Sequence, residues 1–316
     1  MPHGRAAFTL VELLVVVAII GILVGLILPA VEAVRGKAKI MNARNDIYNL
    51  SNAIANFKST YQVPYLTDQI WFFDPNNPAN PDPELIRIWP RWNMANGKPT
   101  TYNGWGIDPA NGNPKSLEGN QCLVFLLGGY RVQNNGAPPI PTYPQWGGLY
   151  GGFSAIASSP FYDPPQSPPN PNNIPFSGKV TGPFMDIQPS RINQNGYFLD
   201  PWGQPYVYFT SKYGNDYNPS LAVRFPKPVP AGSTVYPYKD ISGKFVNQNG
   251  FQIICAGPDG MVGPGSGGPS GIPSPIYNPP VPPFGPAWTP GNNLYAKSGP
   301  GNDDIANFWD KPLGAP

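Results

Sequence analysis

The hydrophobic pattern changes character once along the first sixty residues. Residues 8–28 are apolar on every side of any helix they form, with a single carboxylate at Glu12, a proline closing the run at Pro29, and Arg5 among the seven residues before it. At 1.5 Å per residue such a run spans roughly 30 Å as a helix, the thickness of a bilayer's hydrocarbon core. From residue 40 the apolar positions become periodic. Ile40, Ala43, Ile47, Leu50, Ile54, Phe57 and Tyr61 recur at steps of three and four, which places them on one stripe of a helix. Asn42, Arg44, Asn45, Asp46, Asn49, Asn52, Asn56 and Lys58 make the opposite, polar face. The stripe asks for a globular domain laid against one side, or for a coiled coil of about three heptads. Val63-Pro64 marks the end, because the residue before a proline resists the α region. One nearly continuous helix over 8–63 follows, roughly 80 Å long, with a bend or a locally melted turn expected at Pro29 and Gly36, two helix-weakening residues.

Beyond the helix the pattern is short and broken. Three segments, 121–127, 204–210 and 250–256, have the aromatic and branched content of strands between turn signals. Asn-Gly pairs at 96, 103, 111, 135, 195 and 249 mark turns, and residues 74–83, 136–144, 163–175 and 263–290 read as long Pro/Gly/Asn loops. The 45 prolines and 36 glycines make up about a quarter of the 316 residues, a level that often signals disorder. Against that, 13% of the chain is aromatic, and all eight tryptophans lie beyond the helix; disordered chains are poor in such residues. The expected fold is α+β: a long N-terminal helix packed on one loop-rich domain, 64–316, with a small antiparallel sheet.

Glu12 carries the chemistry of the first segment. An ionised side chain in a bilayer costs at least about 2.5 kcal/mol on insertion scales, so it has a partner and a task. The run Ala7-Phe8-Thr9-Leu10-Val11-Glu12-Leu13-Leu14 resembles the processing site of type IV prepilins and pseudopilins. There a membrane peptidase cuts before a Phe, methylates the new amine and leaves a Glu fifth in the mature chain. By that resemblance the leader is 1–7, the cut falls between Ala7 and Phe8, and Gly21 and Pro29 stand where the family has its helix-flexibility positions. Ala7 departs from the usual Gly, which implies slower processing. A neighbouring subunit's Glu12 would pair with the freed amine of Phe8, lowering the cost of burying both charges. An ordinary secretory signal fits less well: its core is shorter and has no carboxylate.

Two further segments extend the resemblance. Asp200-Pro201-Trp202-Gly203-Gln204-Pro205-Tyr206-Val207-Tyr208 is similar to the turn and strand of the major pseudopilin of type II secretion. Cys255-Ala256-Gly257-Pro258-Asp259-Gly260, followed by Gly301-Asn302-Asp303-Asp304-Ile305-Ala306-Asn307, resembles that protein's C-terminal calcium loop, here with about 40 residues inserted. Loop closure cost grows only logarithmically, so the insertion is tolerable. The resemblance implies carboxylates from Asp259, Asp303 and Asp304 on a calcium ion completed by loop carbonyls. Read from the residues alone, Asp259 makes a turn ahead of Gly260, and Asp303 and Asp304 cap a helix starting near Ile305. Cys122 and Cys255, the two cysteines, fall in expected strands, and both a disulfide and a pair of buried thiols are open to them. Gly263-Pro264-Gly265-Ser266-Gly267-Gly268 has neither the spacing nor the Lys-Ser/Thr of a phosphate loop.

Charge and histidine content narrow the function. The chain has a net charge of +2 and no basic run beyond Arg35, Lys37 and Lys39, a cluster suited to lipid headgroups or neighbouring subunits, so no nucleic acid is expected. His3, the one histidine, lies in the leader. Triads and histidine-bearing zinc sites are then unavailable to the mature chain. Carboxylate-only hydrolysis needs just two spaced acids, and nothing marks such a pair. Arg5 on the short leader sets a cytoplasmic N-terminus and a single pass, with the domain in the periplasm. The resemblance implies a non-enzymatic structural subunit of a type II secretion pseudopilus or a type IV pilus at the inner membrane, and later a periplasmic or cell-surface filament. Its partners would be copies of itself, other pilin-like subunits, the prepilin peptidase, the assembly platform and membrane lipid. The alternative is a membrane-anchored binding module whose ligand surface is the aromatic run Trp89-Pro90-Arg91-Trp92.

Overall fold

Apolar residues all round a helix, then on one side of it, give a single helix, α1, Leu10–Tyr61. The computed structural model describes residues 10–71, 73–74, 77–92, 117–129, 152–155, 157–158, 160–161, 179–193, 196–212, 217, 237, 245–258, 260 and 305–308. Two compact units result, Met1–Asn42 and Ala43–Pro316. The domain therefore includes the last third of the helix. No melted turn interrupts α1 at Pro29 or Gly36. A proline deletes one backbone hydrogen bond, and the cooperative helix on either side outweighs that loss.

In the second unit Ala43, Ile47, Leu50, Ile54 and Phe57 of the stripe read from the periodicity are buried, and Ala53 is buried beside them. After α1 come β1 (Gln69–Ile70), β2 (Phe73–Asp74), β3 (Asn77–Pro81) and α2 (Pro83–Ile88). Then follow β4 (Leu117–Glu118), α3 (Asn120–Gly128), β5 (Phe153–Ser154), β6 (Val180–Thr181), a 3-10 turn at Pro189–Arg191, β7 (Val207–Thr210), β8 (Phe251–Cys255) and β9 (Ile305–Ala306). The chain is α+β, with antiparallel pairs β1–β4, β2–β3 and β5–β6 and a three-stranded sheet ordered β7-β8-β9.

Three local expectations are corrected. Residues 121–127 form the helix α3 instead of a strand. Its run is buried on nearly every side, and a helix satisfies its own backbone there without needing strand neighbours. Residues 74–83 are not all loop, because β2 and β3 pair within them. In a two-stranded sheet each strand is an edge, where proline's missing donor is tolerated. Ile305 begins a strand and not a helix, since Cys255 pairs with Ile305 and Ile254 with Ala306. Of the expected turns, Gly196 has φ +80° between the bridged Ile192 and Phe198, and Gly250 closes a turn by donating to the Asn247 carbonyl at 2.8 Å. The other Asn-Gly pairs, and the loops at 136–144, 163–175 and 263–290, lie outside the described residues.

Candidate assembly site

From Leu10 to Leu28 every position of α1 is exposed in this chain, Leu26 by 70%. It is, among the described residues, the one helix long and apolar enough to cross a membrane. Apolar surface on all sides needs lipid or other helices around it. Glu12 lies in the first turn, where the helix dipole favours a carboxylate. Gly21 and Pro29 sit inside the helix, and a Cβ on Gly21 would meet nothing within 4 Å. Ala7 and Phe8 lie outside the described residues.

Farther along, the helix is clasped by side chains that the periodicity did not reveal. Arg191 makes a bidentate pair with Asp46, at 2.9 and 2.7 Å, and Tyr206 donates its hydroxyl proton to Asp46 Oδ2 at 2.7 Å. The Arg191 guanidinium also donates to the Leu199 carbonyl and lies 4.5 Å over the Phe198 ring. Burial lowers the Arg191 pKa, but the Asp46 carboxylate beside it more than compensates and the net shift is upward. Asn120 is buried and saturated: its Nδ2 donates to the carbonyls of Phe198 (2.8 Å) and Tyr206 (2.9 Å), and its Oδ1 accepts from Phe198 N–H at 2.9 Å. No sequence spacing signals these partners, which are 145 and 78 residues apart.

A second buried acid, Asp68, follows the helix. Thr210 N–H donates to its Oδ2 at 3.1 Å, while Oδ1 has no hydrogen-bond partner. Burial pushes its carboxyl up to about 6, against the opposing pull of the Thr210 N–H and Lys212. Nearby, Asp82 caps α2 by accepting from Glu84 N–H at 2.8 Å. Glu84 in turn pairs with Arg87 and Lys212.

The pieces of the C-terminal resemblance come together. Asp200 Oδ1 accepts from Trp202 N–H (2.8 Å) and Gln204 N–H (2.9 Å), with Gly203 at φ +85°, and this turn feeds β7. Because β8 pairs with β7 on one side and β9 on the other, the inserted stretch begins and ends at neighbouring strands. Asp259, Asp303 and Asp304 themselves lie outside the described residues. Among the described residues no group of three or more His, Cys, Asp or Glu is placed to hold a metal.

One open alternative is decided and one expectation changes. Cys122 and Cys255 are buried free thiols and not a disulfide. Cys122 Sγ donates to the Leu117 carbonyl at 3.4 Å and Cys255 Sγ to Asp200 Oδ2 at 3.2 Å. Trp89 and Trp92 are each only 5% exposed. They stack edge-on to Phe161 at 5.0 and 5.1 Å, and Trp89 also packs on Phe153 and Tyr61. Rings so placed form core, and the proposed ligand surface at 89–92 is absent.

Residues 2–28 match the family model described as the prokaryotic N-terminal methylation motif. Over 83 residues the chain is 36% identical to the type II secretion system core protein G of Vibrio cholerae serotype O1, which covers 26% of this chain and 57% of that relative. The chain thus spans little more than half the length of the curated relative it matches. No solved structure matches it significantly. The methylation motif at the start of an exposed apolar helix, and the stretch shared with that relative, are what this chain has in common with the type IV pilin and pseudopilin family.

Proposed function

We propose that this protein is a non-enzymatic structural subunit that is cut between Ala7 and Phe8, methylated, held in the inner membrane by 8–28 and then assembled into a type II secretion pseudopilus or a related pilus. The observation that carries this reading is an apolar helix exposed on every side from Leu10 to Leu28, with Glu12 its sole charged residue. Other helices can replace lipid around such a span, and a carboxylate in it favours an arrangement that brings it an amine. Copies of this chain, other pilin-like subunits, the prepilin peptidase and the assembly platform are its partners, and the domain stands in the periplasm.

Glu12→Ala tests this. Expression, membrane insertion and the melting of the domain should be unchanged, while filament formation or secretion is lost. Normal filaments from Glu12→Ala, or mature protein that retains residues 1–7 by mass spectrometry, would overturn the reading. The meeting of β8 and β9 supports Asp259, Asp303 and Asp304 as parts of one oxygen-rich loop, the chemistry calcium prefers. Full-length protein in detergent should melt higher in calcium than in chelator; an unchanged midpoint removes the ion.

A further inference from the structure

Between the apolar run and Ala43, where the second unit begins, α1 carries three exposed cations, Arg35, Lys37 and Lys39, against one acid, Glu32. A melted turn at Pro29 or Gly36 would let these cations swing away from the helix axis. The helix is unbroken there, so its geometry sets where they stand. At about 100° per residue Arg35 and Lys39 share one side, and Lys37 faces about 160° away from both. The cations therefore ring the helix. A protein partner docks on one side of a helix, whereas a headgroup layer surrounds a helix that crosses it. Helical side chains also lean toward the N-terminus, which here is the membrane end. Long cationic side chains then reach back toward the headgroups while their stems cover apolar surface.

The far end of the span fits the same placement. A hydrocarbon layer takes about 20 residues of helix, and past Leu28 the chain stays apolar through Ala30 and Val31. When residues 12–31 fill the layer, Arg35 stands about 6 Å outside it, among the headgroups. Glu12 then rests at the opposite boundary, where its carboxylate meets water. When residues 9–28 fill it instead, Glu12 is buried at a cost, and Arg35 stands about 10 Å and Lys39 about 16 Å beyond Leu28, clear of the headgroups. Anionic headgroups attract a basic segment that reaches them, so they favour the first seating over the second. Glu32 offsets one of the three charges and leaves the segment cationic.

We propose that Arg35, Lys37 and Lys39 form a collar that binds anionic phospholipid headgroups and seats the helix with Glu12 at the opposite membrane boundary. The inference rests on the membrane-held reading above. The test uses full-length protein in vesicles of phosphatidylcholine, alone or with roughly one third phosphatidylglycerol as the anionic lipid. Val34→Cys is the reporter, at a side chain 66% exposed, and Cys122 and Cys255 are buried and stay out of reach. The rate at which an uncharged, water-soluble maleimide labels position 34 reads how deeply the helix sits. Phosphatidylglycerol should slow that labelling at least about threefold, because it draws the collar down to the headgroups. The combined variant Arg35→Gln, Lys37→Gln, Lys39→Gln should not respond to the lipid, and Arg35→Lys, which keeps the charge, should respond as the parent does. Equal labelling of the parent in the two lipids, or a response of the neutral variant as large as the parent's, would overturn the collar and leave the membrane reading standing. Slowed labelling in cell membranes with equal labelling in both vesicles would assign the cations to a protein partner and overturn it as well. Rapid labelling of Val16→Cys in intact vesicles would overturn both readings.

Discussion

The two ends of α1 are helical for different reasons. From Leu10 to Leu28 every side chain is exposed, so the apolar ones are stabilised by whatever surrounds the protein. In the domain, Phe57 is fully buried, its ring 4.7 Å from Tyr61 and 5.1 Å from Phe184. There the fold itself supplies the packing. One secondary structure thus serves two tasks: substitutions in the first part should alter association and those in the second should alter stability.

The largest expected effect breaks this division most directly. Phe57→Ala should destabilise the domain by about 3–5 kcal/mol, the cost of a large core truncation, as read by the melting of full-length protein in detergent. Glu12→Ala, by contrast, should leave that midpoint in place. A small effect at Phe57, or a large one at Glu12, would erase the distinction.

A somewhat smaller effect sharpens it, because the domain half carries its own response to pH. Folding raises the Asp68 carboxyl from 3.8 to about 6, so the folded protein holds this proton more tightly than the unfolded chain. The stabilisation from protonation is complete below about pH 4 and is lost as pH rises through about 6, a span of roughly 3 kcal/mol. The charges acting on it are Lys212, which favours the anion, and Glu84, which opposes it. Asp68→Asn should flatten the pH dependence of the melting midpoint between 4 and 6. A difference between variant and parent that stays constant with pH would remove Asp68 as its source.

How much could be read in advance depended on whether the controlling partner was near in sequence. The helix, most of its buried stripe, β7 and β8 follow from periodicity and turn residues alone. The identity of α3 did not, because a short apolar run buried on all sides has no period to distinguish helix from strand. Asp46 stood in the sequence as one more polar residue on the outward face. Only the arrival of Arg191 and Tyr206 turned it into the anchor of the helix.

By itself the sequence determined that this protein has a bilayer-length apolar helix, one acid within it, and an amphipathic continuation, since those properties depend on residue type and spacing along a single element. The tertiary structure alone decided which acids are buried, that Trp89 and Trp92 are core, and that β8 and β9 meet across an inserted stretch. Those outcomes depend on desolvation and on contacts between residues far apart in the chain, which no local pattern encodes.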